Sequence, residues 1–285
     1  MRPFRAEHPI TLCLGERRYD VTSHALIMGI LNRTPDSFYE PAATYDLDDL
    51  FRRADALAAD GADLLDVGGV RAGPGTEVSE AEEMDRVVGV IAELVRRFDL
   101  PLSVDTWRAS VAAAAFEVGA TLGNDISGFA DPGYLPAAAA AGASVVATHI
   151  RLRPRVADPD PHYDDVTTTV HDFLVERRQR ARDAGLRDDQ VILDAGLDLG
   201  KSAVHSLQLL RDSASLAELG SPLLLSASNK TFLGVLFDRP VDDRAEPSLA
   251  AAALGVVAGC RVLRVHDVRA TVRVRDAVAA VLAAA

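Results

Sequence analysis

The chain has 285 residues, 48% apolar and 25% charged, enough to bury one sizeable core without disulfide or metal staples. Its formal net charge of −12 argues against nucleic acid or anionic lipid as a partner, and no apolar run reaches the roughly 20 residues needed to span a bilayer. Met1 to Asp20 mixes Arg, Glu, His and Pro and does not read as a secretion signal. Cys13 and Cys260 sit in apolar runs suited to reduced, buried thiols, so a cytoplasmic protein is expected.

Residues 1–24 read as an N-terminal hairpin segment. An apolar run from Ile10 to Leu14 is followed by a Gly15-Glu-Arg-Arg turn and a return through Tyr19-Asp-Val. From residue 25 onward, short apolar runs alternate with segments of helical period. The runs are Ala25–Leu31, Ala62–Val67, Pro101–Val104, Thr121–Ile126, Ser144–Thr148, Gln190–Leu193, Pro222–Leu225 and Arg261–Val265. They are mostly continuous rather than alternating, as strands covered on both faces should be. Helices are predicted near 47–60, 79–98, 107–118, 132–141, 167–184, 203–219, 244–258 and 270–284. Several run into a strand through Gly-Ala, as at Gly61, Gly119 and Gly142, where glycine stops the helix.

Eight strand–helix units predict an α/β protein, a single (β/α)₈ TIM barrel over 25–285 with the short hairpin across its bottom. A doubly wound open sheet is the alternative arrangement. The longest irregular segment, Ile150–Val166, would be a loop on the active face.

A barrel does its chemistry at the C-terminal ends of its strands. In chain order those ends carry Asn32, Asp66, Asp105, Asn124-Asp125, His149, Asp194, Ser228-Asn229-Lys230 and Arg264-Val-His266-Asp267. One aspartate after a strand is ordinarily a helix cap. Eight polar strand ends together have a chemical shape: Asp105, Asn124, Asp194 and Lys230 suit a polar heterocycle, and Asn32, Arg264 and His266 suit an anion. A protonated His266 would hold that anion more tightly at low pH. The 30 cationic side chains comprise 28 arginines and only two lysines, Lys201 and Lys230, which hints that a compact point charge is needed at those two places.

The stretch Met28-Gly-Ile-Leu-Asn-Arg-Thr-Pro-Asp-Ser-Phe38 resembles the dihydropteroate synthase signature. Asp66-Val-Gly-Gly69, Ser103-Val-Asp-Thr106, Asn124-Asp-Ile-Ser127, Gly200-Lys201, Ser228-Asn-Lys230 and Arg264-Val-His-Asp267 agree with that family in order. The resemblance implies a transferase of folate biosynthesis that joins a pterin pyrophosphate to p-aminobenzoate. It places the pterin on Asp105, Asn124, Asp194 and Lys230, with Lys230 and Asp105 in catalytic roles. It places the pyrophosphate on Asn32, Arg264 and His266, makes Asn32 a ligand of Mg²⁺, and implies a homodimer.

Several positions depart from the family pattern: Val70-Arg71 stand where it reads Glu-Ser, and Arg33 takes the place of a small residue. Ala72 and Gly73 replace a threonine and an arginine, Leu199 replaces a phenylalanine, and Asn229 replaces an arginine. They cluster around the p-aminobenzoate rim, leaving Arg33 and Arg71 as the candidates for replacement charge. In this the sequence resembles the diverged second copy carried beside an ordinary synthase in some actinobacteria. A non-synthesising pterin-binding protein is therefore the alternative to the transferase, and a barrel joining pterin to another amine is a third. Asp158-Pro-Asp-Pro-His162 reads as a solvated loop, and Trp107-Arg108 as packing at a helix start.

Overall fold

The structure is a computed structural model that describes residues 3–34 and 46–284. The tail of the signature motif, Pro35 to Phe38, lies outside the described residues. Strands β1 (Thr11–Leu14) and β2 (Arg17–Asp20) form an antiparallel hairpin. Eight further strands follow: β3 (Leu26–Asn32), β4 (Leu64–Gly68), β5 (Leu102–Asp105), β6 (Leu122–Asp125), β7 (Ser144–Thr148), β8 (Val191–Asp194), β9 (Leu223–Leu225) and β10 (Cys260–Val265). They pair in parallel and in sequence order, and β10 closes on β3. This closed barrel rules out the open sheet.

Side chains alternate across each strand, and that period of two positions the site. Ile27, Leu65, Val104, Val145, Leu193 and Leu263 face outward into the core beneath the helices. Met28, Leu64, Leu122, Val146, Ile192, Leu224 and Val262 face inward. Ile10, Leu12, Leu14 and Val21 from the hairpin segment pack into this inward set and plug the barrel bottom. Two residues further along several of these strands, the inward position is polar: Asp66 after Leu64, Asn124 after Leu122, Asp194 after Ile192, Arg264 after Val262. The barrel is thus apolar below and charged above.

The helices are α1 (Leu47–Ala59), α2 (Glu80–Arg97), α3 (Ala109–Glu117), α4 (Tyr134–Ala141), α5 (Val166–Asp183), α6 (Ala203–Arg211), α7 (Ser213–Ala217), α8 (Thr231–Phe237), α9 (Ala245–Val257) and α10 (Val268–Ala283). Two differences from the sequence reading appear. The segment near 203–219 breaks at Asp212 into α6 and α7. The run Thr231–Phe237 forms α8, with no amphipathic period in its seven residues to announce it. Both cysteines are free and buried. Among the described residues, no helix is long and apolar enough to cross a membrane.

Candidate active site at the barrel mouth

Asp66 is fully buried on β4, and Arg264 on β10 donates to it from Nε at 2.6 Å. The same guanidinium donates from Nη2 to Asp105 Oδ2 on β5 at 2.7 Å. Arg264 therefore brackets two carboxylates from separate strands, a charge-assisted pairing that offsets their burial. Asn124 Nδ2 donates to Asp66 Oδ2 at 3.1 Å, which orients the amide. Asp66 Oδ1 has no partner among the described residues. Sequence reasoning placed Asp66 at a strand end but gave it no role, since its partner Arg264 lies 198 positions away.

Asp194 is held from the opposite side. Gly196 N–H donates to its Oδ1 at 2.8 Å, and Thr148 Oγ1 to its Oδ2 at 3.3 Å. Burial raises the Asp194 carboxyl above its ordinary range. Burial also pushes Asp105 up to about 7; Arg264 opposes that shift and the nearby Asp66 adds to it. Lys230 Nζ donates to Leu197 O at 3.1 Å. His266 accepts from or donates to Ser228 Oγ through Nδ1 at 2.9 Å. Burial, with Arg264, Arg53 and Lys230 nearby, drives His266 down to about 3. In the unliganded protein these surroundings favour the neutral imidazole.

These groups line one cavity of about 390 Å³. Asn32, Asp105, Asn124, Asp194, Lys230, Arg264 and His266, the seven residues singled out from sequence, all contribute to its wall. So do Ala72, Gly73, Leu199 and Asn229, four of the departures from the family pattern. Arg71 lines the cavity, but Arg33 turns away, donating from Nη1 to the α2 carbonyls of Asp85 and Arg86 at 2.9 and 3.1 Å. Asp125 and Asp267 are structural. Asp125 accepts from Ser127 N and Phe129 N, and Asp267 caps α10 through Ala270 N. Arg108 pairs with Glu83 and the Val78 carbonyl, the packing role expected at the start of α3.

Two basic residues fix the rim. Arg155 holds the β4–α2 loop by its carbonyls: Nη1 donates to Arg71 O and Gly73 O at 3.1 and 2.8 Å, Nη2 donates to Thr76 O, and Arg155 N donates to Ala72 O at 2.9 Å. Gly75 makes room, since a Cβ there would lie 3.0 Å from Arg155 Nη2. Lys201 is buried at the start of α6. Its Nζ donates to Gly196 O, His149 O and Leu199 O at 2.8, 3.1 and 3.1 Å and sits 2.9 Å from His149 Nδ1. Burial pushes Lys201 down to about 7 and, with Lys201 beside it, His149 down to about 3. Gly196 has φ +65°, and a Cβ there would strike His149 O at 2.0 Å, so only glycine lets the two loops meet.

A family profile described as pterin binding enzyme matches residues 28–266. The chain is 37% identical to the dihydropteroate synthase of Escherichia coli K12 over 263 residues, 92% of this chain and 93% of that protein. It is 43% identical to a Mycobacterium leprae protein named inactive dihydropteroate synthase 2, over 90% of each chain. The structure of Xanthomonas albilineans dihydropteroate synthase with 4-aminobenzoic acid superimposes with a TM-score of 0.88 at 39% identity, covering 97% of this chain and 99% of that one.

Proposed function

The chain belongs to the pterin-binding enzyme family and is dihydropteroate synthase-like, and on that premise we propose that its barrel mouth binds a pterin carrying a pyrophosphate-activated methylene. The observation that carries this reading is the floor: the buried carboxylate of Asp194, the half-buried one of Asp105, an amide and a lysine converge from four strand ends on one cavity. Asp105 and Asp194 accept from the amino and ring N–H groups of the pterin. Asn124 adds an amide, and Lys230 donates to the carbonyl and ring nitrogen. Asn32, Arg264 and His266 face the pyrophosphate. In the transferase reaction the methylene C–O bond breaks, its electron pair leaves with pyrophosphate, and the amine lone pair forms the C–N bond with loss of an N–H proton. The residues contribute by positioning the amine and stabilising leaving-group charge.

The donor set fits magnesium held mainly by substrate. Asn32 Oδ1 is a hard oxygen, and Gly68 keeps the space beside it open, since a Cβ there would lie 3.2 Å from that atom. No cluster of three His, Cys, Asp or Glu suited to a metal occurs among the described residues, so Asn32 would share the ion with pyrophosphate oxygens and water. Such an ion would neutralise charge on the departing pyrophosphate.

A second reading, pterin binding without synthesis, is favoured by the rim. Ala72 lacks the hydroxyl, Gly73 and Asn229 the guanidinium and Leu199 the ring of the family pattern, and Arg33 is turned away. A steady-state assay with pterin pyrophosphate, Mg²⁺ and p-aminobenzoate, with an ordinary synthase as control, separates the two. Pterin binding with weak or absent turnover is expected, whereas kcat/KM comparable to the control overturns this second reading. Loss of pterin binding itself overturns both.

We also propose a cytoplasmic homodimer that works on small molecules and not on nucleic acid or membranes. Val235, Leu236 and Phe237 on α8, Val204 on α6 and Leu254 on α9 are exposed on helices that contact one another, an apolar face that supports this assembly. Light scattering should give twice the monomer mass, and Phe237→Glu should halve it.

A further inference from the structure

Lys230 stands where a helix start needs an acceptor. It opens α8 with an extended backbone, φ −63° and ψ 151°, and its side chain makes no cap bond. It cannot make one, because an ammonium has three donors and no acceptor, whereas serine, threonine, aspartate and asparagine are the residues that cap. The first N–H groups of α8 therefore need an acceptor from elsewhere. Asp198, on the β8–α6 loop, brings it. Its Oδ2 accepts from Thr231 N at 2.5 Å and its Oδ1 from Phe232 N at 3.2 Å. The residue before it, Leu197, accepts from Lys230 Nζ through its carbonyl at 3.1 Å. Two consecutive residues of one loop thus hold both the backbone after Lys230 and the tip of its side chain.

The backbone is strained to place that carboxylate. Asp198 has φ +67°, in the left-handed region that favours glycine. It is held there from behind: its N–H donates to Ser206 Oγ at 3.1 Å, and Ser206 is fully buried on α6. On the other side of Lys230, Arg244 Nη1 donates to Asn229 O at 3.0 Å, and Asn229 N donates to Ser248 Oγ at 3.0 Å. Lys230 is therefore clamped between residues at the start of α9 and Asp198. A glycine at 198 would relax the loop but leave α8 without its acceptor, so the strain marks a carboxylate that is needed. We propose that Asp198 is a positioning residue for Lys230: its carboxylate sets where the ammonium stands in the cavity, and pterin affinity follows from that placement. The inference rests on the pterin reading above, in which Lys230 donates to the pterin.

Asp198 itself lines the cavity, so action through Lys230 has to be separated from direct contact with pterin. A double-mutant cycle does this. Calorimetry with 6-hydroxymethylpterin is run on wild type, Asp198→Gly, Lys230→Met and the double variant. Glycine suits the left-handed backbone, so the fold is kept while the carboxylate is lost. Asp198→Gly should weaken pterin binding about ten-fold in the wild-type background and less than about two-fold in Lys230→Met. Asp198→Asn keeps one acceptor oxygen and should lose about three-fold, again only where Lys230 is present. That variant carries the test if the glycine protein does not fold. Unchanged affinity in Asp198→Gly, or an equal loss with and without Lys230, overturns the inference. If wild type binds no hydroxymethylpterin, the pterin reading fails and positioning is read on Lys230 alone. Its acylation by an N-hydroxysuccinimide ester, followed by peptide mass, should then be about three-fold faster in Asp198→Gly, and equal rates overturn the inference.

Discussion

The floor and the rim of this barrel are held together by different chemistry. On the floor, side chains bond to side chains: Arg264 to Asp66 and Asp105, Asn124 to Asp66, Thr148 to Asp194. At the rim, two basic side chains bond mainly to backbone carbonyls, Arg155 to residues 71, 73 and 76 and Lys201 to residues 149, 196 and 199. A side-chain network fixes the identity of each member, since replacing one leaves a buried partner unsatisfied. A backbone clasp fixes only the path of the chain. Residues 72, 73 and 199 can therefore change without loosening the loops that carry them.

Removing the bracket strikes hardest at the floor. Arg264→Leu leaves Asp66 and Asp105 buried without their cation and should destabilise the fold by about 3–5 kcal/mol. Denaturant unfolding measures this, and a loss below about 1 kcal/mol would show that the floor is not a mutually dependent network. Asp194→Ala is next. It removes the proposed pterin acceptor from a strand end and should weaken pterin binding by about 1–3 kcal/mol. Unchanged affinity by calorimetry would take Asp194 out of the site.

Asp105 sharpens the comparison through pH. Its pKa of about 7 is raised by burial, so in the unliganded protein it is protonated below that value and ionised above. An ionised carboxylate is the form that accepts from pterin N–H groups. Pterin affinity should therefore fall as pH drops through about 7, approaching ten-fold per unit below it. Asp105→Asn should flatten the profile, and a flat wild-type profile between pH 6 and 8 would remove Asp105 from that role. The rim should give the smallest effect. Arg155→Ala should speed amide exchange at residues 71–76 while pterin affinity changes less than two-fold. An equal loss of pterin affinity would mean that floor and rim are one unit.

The sequence made the barrel and the cavity wall legible because both depend on local signals, apolar runs and the polar residue that ends each one. Asp105, Asn124, Asp194, Lys230, Arg264 and His266 all reach one cavity for this reason. Pairings across long separations were not legible. Nothing near Asp66 announces Arg264, and nothing near Arg155 announces the carbonyls some 80 residues before it. Helix α8 is not legible because seven residues carry too little period. One faint signal did point at the rim: in a chain that otherwise uses arginine, the lysine at 201 marks a pocket where several acceptors converge on one nitrogen.

That scarcity of lysine has a practical side. With only Lys201 and Lys230 in 285 residues, primary side-chain amines occur nowhere outside the barrel mouth. Lys201 is buried and spent on acceptors, whereas Lys230 lines the cavity. An amine-reactive fluorophore will therefore mark the chain's N-terminus and Lys230, and ligand that covers Lys230 will shield it. If pterin binds as proposed, protection of Lys230 would report occupancy, readable by peptide mass without introducing a label site.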